Sequence, residues 1–285
     1  MSKEVKPLSY NFKAKEVTQA IIQGIRDWFD ANGQGCNAII GISAGKDSSI
    51  TAALCVAALG KDRVIGIQMP NGHQYDIGLG DELIEYLGIR SYKHNIKPMF
   101  DAAIQDMRNN GVEPSEQTII NLPPRLRMSV LYQYSQSLKG RVMNTSNLSE
   151  DWVSNFTRWG DQCGDYCPLL FLTVDEVKKV GYEVGLPAKF IEKVPEDGLV
   201  GKTDEDNIGV KYAVLDRYIR TGEIESEADK NLIDRKYVTS QFKRDPIAAY
   251  HPYMGLLYEG TAVNPNTLKP VDFPPCFHDP RWRQL

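Results

Sequence analysis

The sequence lacks any hydrophobic run long enough to cross a membrane. Its longest apolar stretch, residues 52–59, is far short of the roughly 20 residues that a membrane-spanning helix needs. The first ten residues mix lysine, glutamate and proline and contain no apolar segment of the kind found in secretory leaders. We therefore expect a cytoplasmic protein with no membrane partner.

Cysteine is scarce, and positive charge is not in excess. The five cysteines are odd in number and irregularly spaced, which argues against a disulfide framework. Cys163 and Cys167 form a C-x-x-x-C pair, which is not the spacing of a zinc or dithiol site. The formal net charge of −4 argues against a nucleic-acid partner. We expect reduced cysteines without a catalytic role.

The first half alternates between strand and helix patterns. Short apolar runs predict buried strands, and longer segments with helical spacing predict helices between them. The predicted strands are residues 37–42, 63–69 and 141–145, and the predicted helices are residues 14–31, 48–59, 81–87, 96–108 and 118–138. Such alternation predicts an α/β fold, a doubly wound parallel sheet with helices on both faces.

The second half reads as mostly helical. The predicted helices are residues 174–184, 187–192, 207–221 and 226–237. The chain shows no repeat and no linker rich in proline, glycine or serine, so we expect one domain over residues 1–285. A segment rich in proline and aromatic residues predicts an extended C-terminal tail from about residue 243.

Residues 41–49 read G-I-S-A-G-K-D-S-S and connect a predicted strand to a predicted helix. This placement turns backbone N–H groups and the positive end of a helix toward an anion. Glycines allow close backbone approach, and serine hydroxyls can donate to phosphate oxygens. The candidate ATP-binding residues of this loop are Gly41, Ile42, Ser43, Ala44, Gly45, Lys46, Asp47, Ser48 and Ser49.

The loop differs from the G-x-x-x-x-G-K-[ST] phosphate loop, because three residues separate its glycines and Asp47 follows the lysine. An aspartate in an anion-binding loop is explained if its oxygens bind Mg²⁺. The pattern resembles the S-G-G-x-D-S loop of the PP-loop ATP pyrophosphatases, which cut ATP between the α- and β-phosphates. Ala44 stands at the first glycine of that pattern.

Four later segments resemble those of NAD synthetases. They are N-L-P-P-R-L-R-M at residues 121–128, N-T-S-N-L-S-E at 144–150, F-T-R-W-G-D with a following G-D and P at 156–168, and G-K-T-D-E-D-N-I-G at 201–209. The resemblance extends from about residue 14 to 246. It implies the adenine nucleotide alpha hydrolase-like fold, and an ATP-dependent, AMP-forming amide ligase.

The reaction that the resemblance implies joins deamido-NAD, ATP and ammonia to give NAD, AMP and pyrophosphate. A carboxylate is a poor electrophile, and conversion to a mixed anhydride with AMP supplies a good leaving group. The resemblance implies Mg²⁺ as cofactor, with Asp47 and Glu150 as its ligands. Because Glu150 follows a cap-like stretch, an ordinary acid in the first turn of a helix is the alternative.

The resemblance also assigns substrate contacts. Thr145 and the position of Gln68 join the loop as ATP-binding candidates, Lys202 is a further candidate of our own, and we expect Ser43, Lys46 and Asp47 to act in catalysis. The candidates for deamido-NAD binding are Arg125, Arg158, Asp165 and Lys243. The family further implies a homodimer. Since a chain of 285 residues leaves no room for an amidase part, we expect free ammonia as the nitrogen donor.

Three positions depart from the family pattern near the nucleotide. Gln68 stands where many members have arginine, Val174 where many have lysine, and Glu196 where threonine or serine is usual. Lys46 and Lys202 are the candidates for holding ATP in their place. Phe242 replaces a histidine before Lys243.

Two other functions stay open at this level. One is a PP-loop enzyme that modifies tRNA, which the acidic net charge and the absence of an RNA-binding module disfavour. The other is a nucleotide-binding sensor that has lost turnover. Val174 supports the sensor, whereas the carboxylates Asp47 and Glu150 oppose it.

Overall fold

The computed structural model describes residues 11–73, 77–192 and 204–245. The predicted extended tail, Glu196 and Lys202 lie outside these residues, so the expectations for them stay predictions. Within the same three ranges, no helix is both long enough and apolar enough to cross a membrane.

Four parallel strands form the sheet: β1 (Asn37–Gly41), β2 (Val64–Gln68), β3 (Arg90–Lys93) and β4 (Gly140–Met143). Their spatial order is β3-β2-β1-β4. The chain therefore builds outward from β1 to β3 and then returns to the other side of β1. The carboxyl ends of β1 and β4 flank this switch point, where ligands bind in open α/β sheets.

Helices cover both faces of the sheet. Those before β4, besides a short 3-10 turn at Lys61–Arg63, are α1 (Ala14–Asn32), α2 (Lys46–Leu59), α3 (Ile77–Leu87), α4 (Lys97–Asn109) and α5 (Glu116–Ser137). Those after β4 are α6 (Leu148–Val153), α7 (Val174–Glu183), α8 (Ala188–Ile191), α9 (Asp204–Ile208), α10 (Tyr212–Thr221), α11 (Glu227–Thr239) and α12 (Gln241–Arg244). The predicted α/β fold with helices on both faces is confirmed.

Two apolar cores lie against the sheet because its central strands are buried on both faces. On one face α1, α2, α3, α7 and α8 pack around Phe29, Leu54 and Phe190. On the other face α4 and α5 pack over Ile39 and Ile67. The loop at residues 41–49, here called the phosphate loop, therefore follows a strand that is packed between two apolar layers.

The structure corrects two sequence expectations. The strand β3 was not predicted, because its residues R-S-Y-K are polar and mostly exposed, as at an edge of a sheet. The single helix expected over residues 207–221 is wrong. Gly209 adopts a φ of 83°, in the left-handed region that ends helices, so α9 stops at Ile208 and α10 starts at Tyr212.

A smaller third core joins α6, α10 and α11. It buries Val153, Val174 and Ile208 together with Leu215 and Ile233. Val174, at the first position of α7, is only 6% exposed. The side chain at this departure from the family pattern therefore packs within a hydrophobic core.

An ion pair buried at the start of α7 fixes α10. Glu176 is 1% exposed and receives two hydrogen bonds from the Arg220 guanidinium, at 2.7 and 2.5 Å. The same carboxylate accepts the N–H of Thr173, which closes a capping box. Arg220 also donates to the Phe171 carbonyl, so one side chain joins α10 to the turn before α7.

Arg220→Met is expected to lower the free energy of unfolding by about 3 kcal/mol, because it leaves the Glu176 carboxylate buried without its guanidinium. Arg217→Met, on the same helix, removes exposed pairs with Glu223 and Glu225 and is expected to cost less than about 1 kcal/mol. Urea unfolding followed by circular dichroism measures both. Equal losses of unfolding free energy in the two variants would contradict the stabilising role of the Glu176–Arg220 pair.

Candidate functional site

The loop between β1 and α2 is shaped by its own serines. The backbone N–H of Ser43 donates to Ser48 Oγ at 3.3 Å, and the N–H of Gly45 donates to Ser43 Oγ at 3.2 Å. The hydroxyls of Ser48 and Ser49 both donate to the Gly45 carbonyl, at 3.1 and 2.8 Å. These bonds hold a tight turn at the amino end of α2, where the helix dipole favours an anion.

Ala44 sits in this turn with a φ of 66°. This left-handed conformation suits glycine, whereas an L side chain is strained there by about 1–2 kcal/mol. The Ala44 side chain is buried. The turn therefore keeps the conformation of a glycine although the sequence provides an alanine.

Lys46 brings two carboxylates together. Its ammonium lies 2.9 Å from Asp47 Oδ2 and 3.9 Å from Glu150 Oε1, and its side chain is 4% exposed. The Tyr212 ring centroid is 5.7 Å from the same Nζ. Asp47 lies in the first turn of α2 and Glu150 in the first turn of α6, so the carboxylates follow β1 and β4 and meet at the switch point of the sheet.

Asn147 forms hydrogen bonds with both Asp47 and Glu150. Its amide Nδ2 donates to Asp47 Oδ1 at 3.1 Å, and its Oδ1 accepts the backbone N–H of Glu150 at 3.0 Å. The side chain is fully buried. As the N-cap of α6, Asn147 fixes the helix that carries Glu150 and orients Asp47 at the same time.

A basic region lies along α5 and the loop at residues 156–161. Arg125 Nε donates to the Arg158 carbonyl at 3.4 Å. The Arg158 guanidinium lies over the Trp159 ring, 4.7 Å from its centroid, and 5.7 Å from that of Phe242. The Lys243 ammonium donates to the carbonyls of the Ser154–Phe156 turn, so it holds the loop that presents Arg158.

The buried polar groups next to this basic region are held by hydrogen bonds. Asn144 Nδ2 donates to the carbonyls of Asp161 and Cys163, at 3.0 and 3.1 Å. Burial raises the pKa of the Asp161 carboxyl and lowers the pKa of Arg127. Burial also raises the pKa of the Cys167 thiol to about 12. That thiol stays protonated at neutral pH, as expected of a structural cysteine.

Comparison with known proteins decides the family. The family model described as NAD synthase matches residues 17–247 of this chain. The chain belongs to the NAD synthase family. A relative from Pyrococcus furiosus, named NH(3)-dependent NAD(+) synthetase, is 40% identical over 182 residues, covering 64% of this chain and 70% of the relative. One from Finegoldia magna with the same name is 34% identical over 229 residues, covering 79% and 92%.

Solved structures agree with this assignment. An NMN synthetase from Francisella tularensis matches with a TM-score of 0.76 and 30% identity, covering 85% of this chain and 99% of that one. An NH3-dependent NAD synthetase from Campylobacter jejuni matches with a TM-score of 0.70 and 22% identity, covering 85% and 100%. The fold is the PP-loop, adenine nucleotide alpha hydrolase-like fold.

The structure brings most of the predicted ATP and metal residues of the NAD synthase pattern together. Residues 41–49, Glu150 and the half-buried Thr145 all lie at the carboxyl ends of β1 and β4. Gln68, at the end of β2, is buried, and its amide donates to the Ile77 carbonyl at 3.3 Å. Its adenine contact stays a prediction, since in this conformation the amide ties β2 to α3.

The predicted deamido-NAD residues do not form one cluster. Arg125, Arg158 and Lys243 surround the loop at residues 154–159. Asp165 instead accepts the Tyr132 hydroxyl at 3.2 Å and the Val142 N–H at 2.8 Å. Because Tyr132 is seven residues after Arg125 on α5, the two contacts are about 10 Å apart along the helix.

Sequence reasoning missed Asn147 and Tyr212 as site residues. Asn147 lies inside a segment that the sequence identified as a helix cap, but its bond to Asp47 joins residues far apart in the chain. Tyr212 follows the left-handed Gly209 that divides the helix expected over residues 207–221. Only the third core, which orients α10, explains why the Tyr212 ring faces Lys46.

Ala44→Gly is expected to raise the free energy of unfolding by up to about 1 kcal/mol. Relief of about 1–2 kcal/mol of strain exceeds the roughly 0.8 kcal/mol lost with one buried methyl group. Ala57→Gly, at an exposed position in α2, is the control and is expected to cost about 0.5–1 kcal/mol. Urea unfolding compares them, and a loss at Ala44 as large as at Ala57 would contradict the strain.

Proposed function

We propose that this chain catalyses the ammonia-dependent synthesis of NAD. It is an ATP-dependent ligase that adenylates the nicotinate carboxylate of deamido-NAD and lets ammonia displace AMP. The observation that carries the proposal is the meeting of Asp47 and Glu150 around Lys46 at the end of a phosphate loop, in a chain of the NAD synthase family.

A magnesium ion fits the donor set. Mg²⁺ in nucleotide sites is held by one or two carboxylates, with phosphate oxygens and water completing its shell. Asp47 and Glu150 supply two such carboxylates, each within reach of one ammonium. No group of three or more acidic, histidine or cysteine side chains that could hold a metal occurs among the described residues. When bound, the ion would neutralise charge on the phosphates.

The chain's own groups account for the remaining steps. The N–H groups at the start of α2 would hold the β- and γ-phosphates, and Lys46 would face the negative charge that builds up. The substrate carboxylate oxygen bonds to the α-phosphorus while the bond to pyrophosphate breaks. Ammonia then attacks the acyl carbon, AMP leaves with the C–O bond pair, and the surplus proton passes to solvent.

The substrate contacts are proposed by family resemblance. Arg125 and Arg158 suit the phosphates of a nucleotide, since guanidinium groups bind phosphate in a forked geometry. Asp165 suits a ribose hydroxyl at the far end of a dinucleotide. The homodimer and the cytoplasmic location are proposals of the same kind, and light scattering after gel filtration measures the oligomeric state.

A second substrate is also supported by the comparisons. The NMN synthetase from Francisella tularensis is 30% identical to this chain, whereas the NAD synthetase from Campylobacter jejuni is 22% identical. The corresponding substrate for this chain would be nicotinate mononucleotide, which is deamido-NAD without its adenylate half. The two substrates carry the same carboxylate, so the same site would activate either.

Purified protein with Mg-ATP, ammonium chloride and deamido-NAD is expected to form NAD and AMP in equal amounts. Parallel assays with nicotinate mononucleotide compare kcat/KM for the two acids, and we expect the dinucleotide to be preferred. A preference for the mononucleotide would support the proposed ligase activity but change its proposed substrate. Formation of neither product by folded protein that binds ATP would overturn the proposed function and favour the sensor.

Asn147→Ala is expected to weaken Mn²⁺ binding, with Mn²⁺ used in place of Mg²⁺, by about 10–100-fold, because residues that orient metal ligands act at this scale. Electron paramagnetic resonance of free Mn²⁺ gives the affinity. Asn32→Ala, which removes an exposed amide on α1, is the matched control. An unchanged affinity in folded Asn147→Ala would exclude Asn147 from the metal site.

A further inference from the structure

One face of α10 reaches three different parts of the site's framework. Tyr212, Asp216 and Arg220 are spaced by four residues, which places them on the same side of the helix. Tyr212 lies beside Lys46, and Arg220 binds Glu176 at the start of α7. Asp216 lies between them and faces the helix that carries Glu150.

Asp216 holds two helix starts with one carboxylate. Its Oδ1 accepts the Ser149 hydroxyl at 2.5 Å, and its Oδ2 accepts the backbone N–H of Asp175 at 2.9 Å. Ser149 Oγ in turn accepts the N–H of Val174 at 3.1 Å. The first turn of α6 and the first turn of α7 are therefore joined through a hydroxyl and a carboxylate.

The Asp216 carboxylate is buried between the starts of α6 and α7. The side chain is 7% exposed, and both of its hydrogen bonds come from uncharged groups. Burial raises the pKa of this carboxyl, an effect that the hydrogen bonds from Ser149 and Asp175 reduce and the charges of Asp175 and Glu176 increase. Burying a carboxylate is costly, and an apolar residue at this position would not carry that cost.

We propose that Asp216 is a positioning residue for Glu150. By holding Ser149, the residue before Glu150, it fixes the turn of α6 that directs the Glu150 carboxylate toward Lys46 and Asp47. Asn147 fixes the same turn from its other side, through the Glu150 N–H. The turn that carries Glu150 would then have one constraint from Asn147, which also bonds Asp47 of the phosphate loop, and one from α10. This inference rests on the proposed function only for its kinetic test, which is the activation constant for Mg²⁺.

Three variants test the proposal: Asp216→Asn, Ser149→Ala and the double variant. Each single change is expected to weaken Mn²⁺ binding by about tenfold, as for other residues that orient metal ligands. The apparent activation constant for Mg²⁺ should rise by the same factor, with KM for deamido-NAD changed less than about twofold. Because the two residues act through one contact, the double variant should lose little more than either single variant.

Asp234→Asn is the matched control, since it makes the same chemical change on the exposed side of α11, where Asp234 bonds Tyr218 and Lys230. It should leave the Mn²⁺ affinity unchanged. A lower melting temperature with unchanged Mn²⁺ affinity in Asp216→Asn and Ser149→Ala would overturn the proposal and leave a purely structural role. If Asp216→Asn does not fold, Ser149→Ala decides alone, because it removes only the hydroxyl.

The Mn²⁺ measurement is independent of the acid substrate. Wild-type protein that forms no NAD would therefore defeat the proposed function without deciding the role of Asp216. Wild-type protein that forms NAD, combined with Mn²⁺ affinities equal in all variants, would defeat the role of Asp216 and leave the proposed function intact.

Discussion

The parallel pairing of β1 with β4 is the constraint on which the site depends. Ile40 is in register with Met143, so the loops that follow these residues start side by side at one edge of the sheet. Asp47 and Glu150, which are far apart in the chain, can meet around Lys46 only because of this pairing. Asn147 then makes the proximity specific, since a single amide bonds the carboxylate of one loop and caps the helix of the other. The strand pairing brings the two loops close together, and the Asn147 amide orients Asp47 and the helix that carries Glu150.

Much of this architecture follows from the sequence. Buried strands and amphipathic helices have periodic patterns, and the phosphate loop has a composition that few structural turns share. The edge strand β3 was missed because a polar strand of four residues has no apolar run to reveal it. The division between α9 and α10 was missed because it depends on the left-handed conformation of Gly209, which a helical pattern does not register.

The contacts that orient the site could not be predicted from the sequence, and the reason is different. Asn147 reaches Asp47 across 100 residues, and Ser149 reaches Asp216 across 67. Asparagine, serine and aspartate near helix ends are common as local caps, so their composition does not distinguish a local bond from a distant one. Only the packing of α10 against α6 and α7 selects the distant partners. The predicted contacts of Arg125, Arg158, Asp165 and Lys243 depend in addition on a substrate.

Val174, one of the departures from the family pattern, is connected to the site through α10. Val174 fills the third core together with Leu215 and Tyr212, and a lysine chain at this position would have to leave that core to reach a nucleotide. The same core orients α10, and α10 places the Tyr212 ring beside Lys46. Lys46, at the start of α2, is the candidate for the cation that many members carry at the start of α7, where Val174 contributes an apolar side chain to the core. Val174 and Lys46 are thus connected through Tyr212, which packs in one core with Val174 and lies beside the Lys46 ammonium.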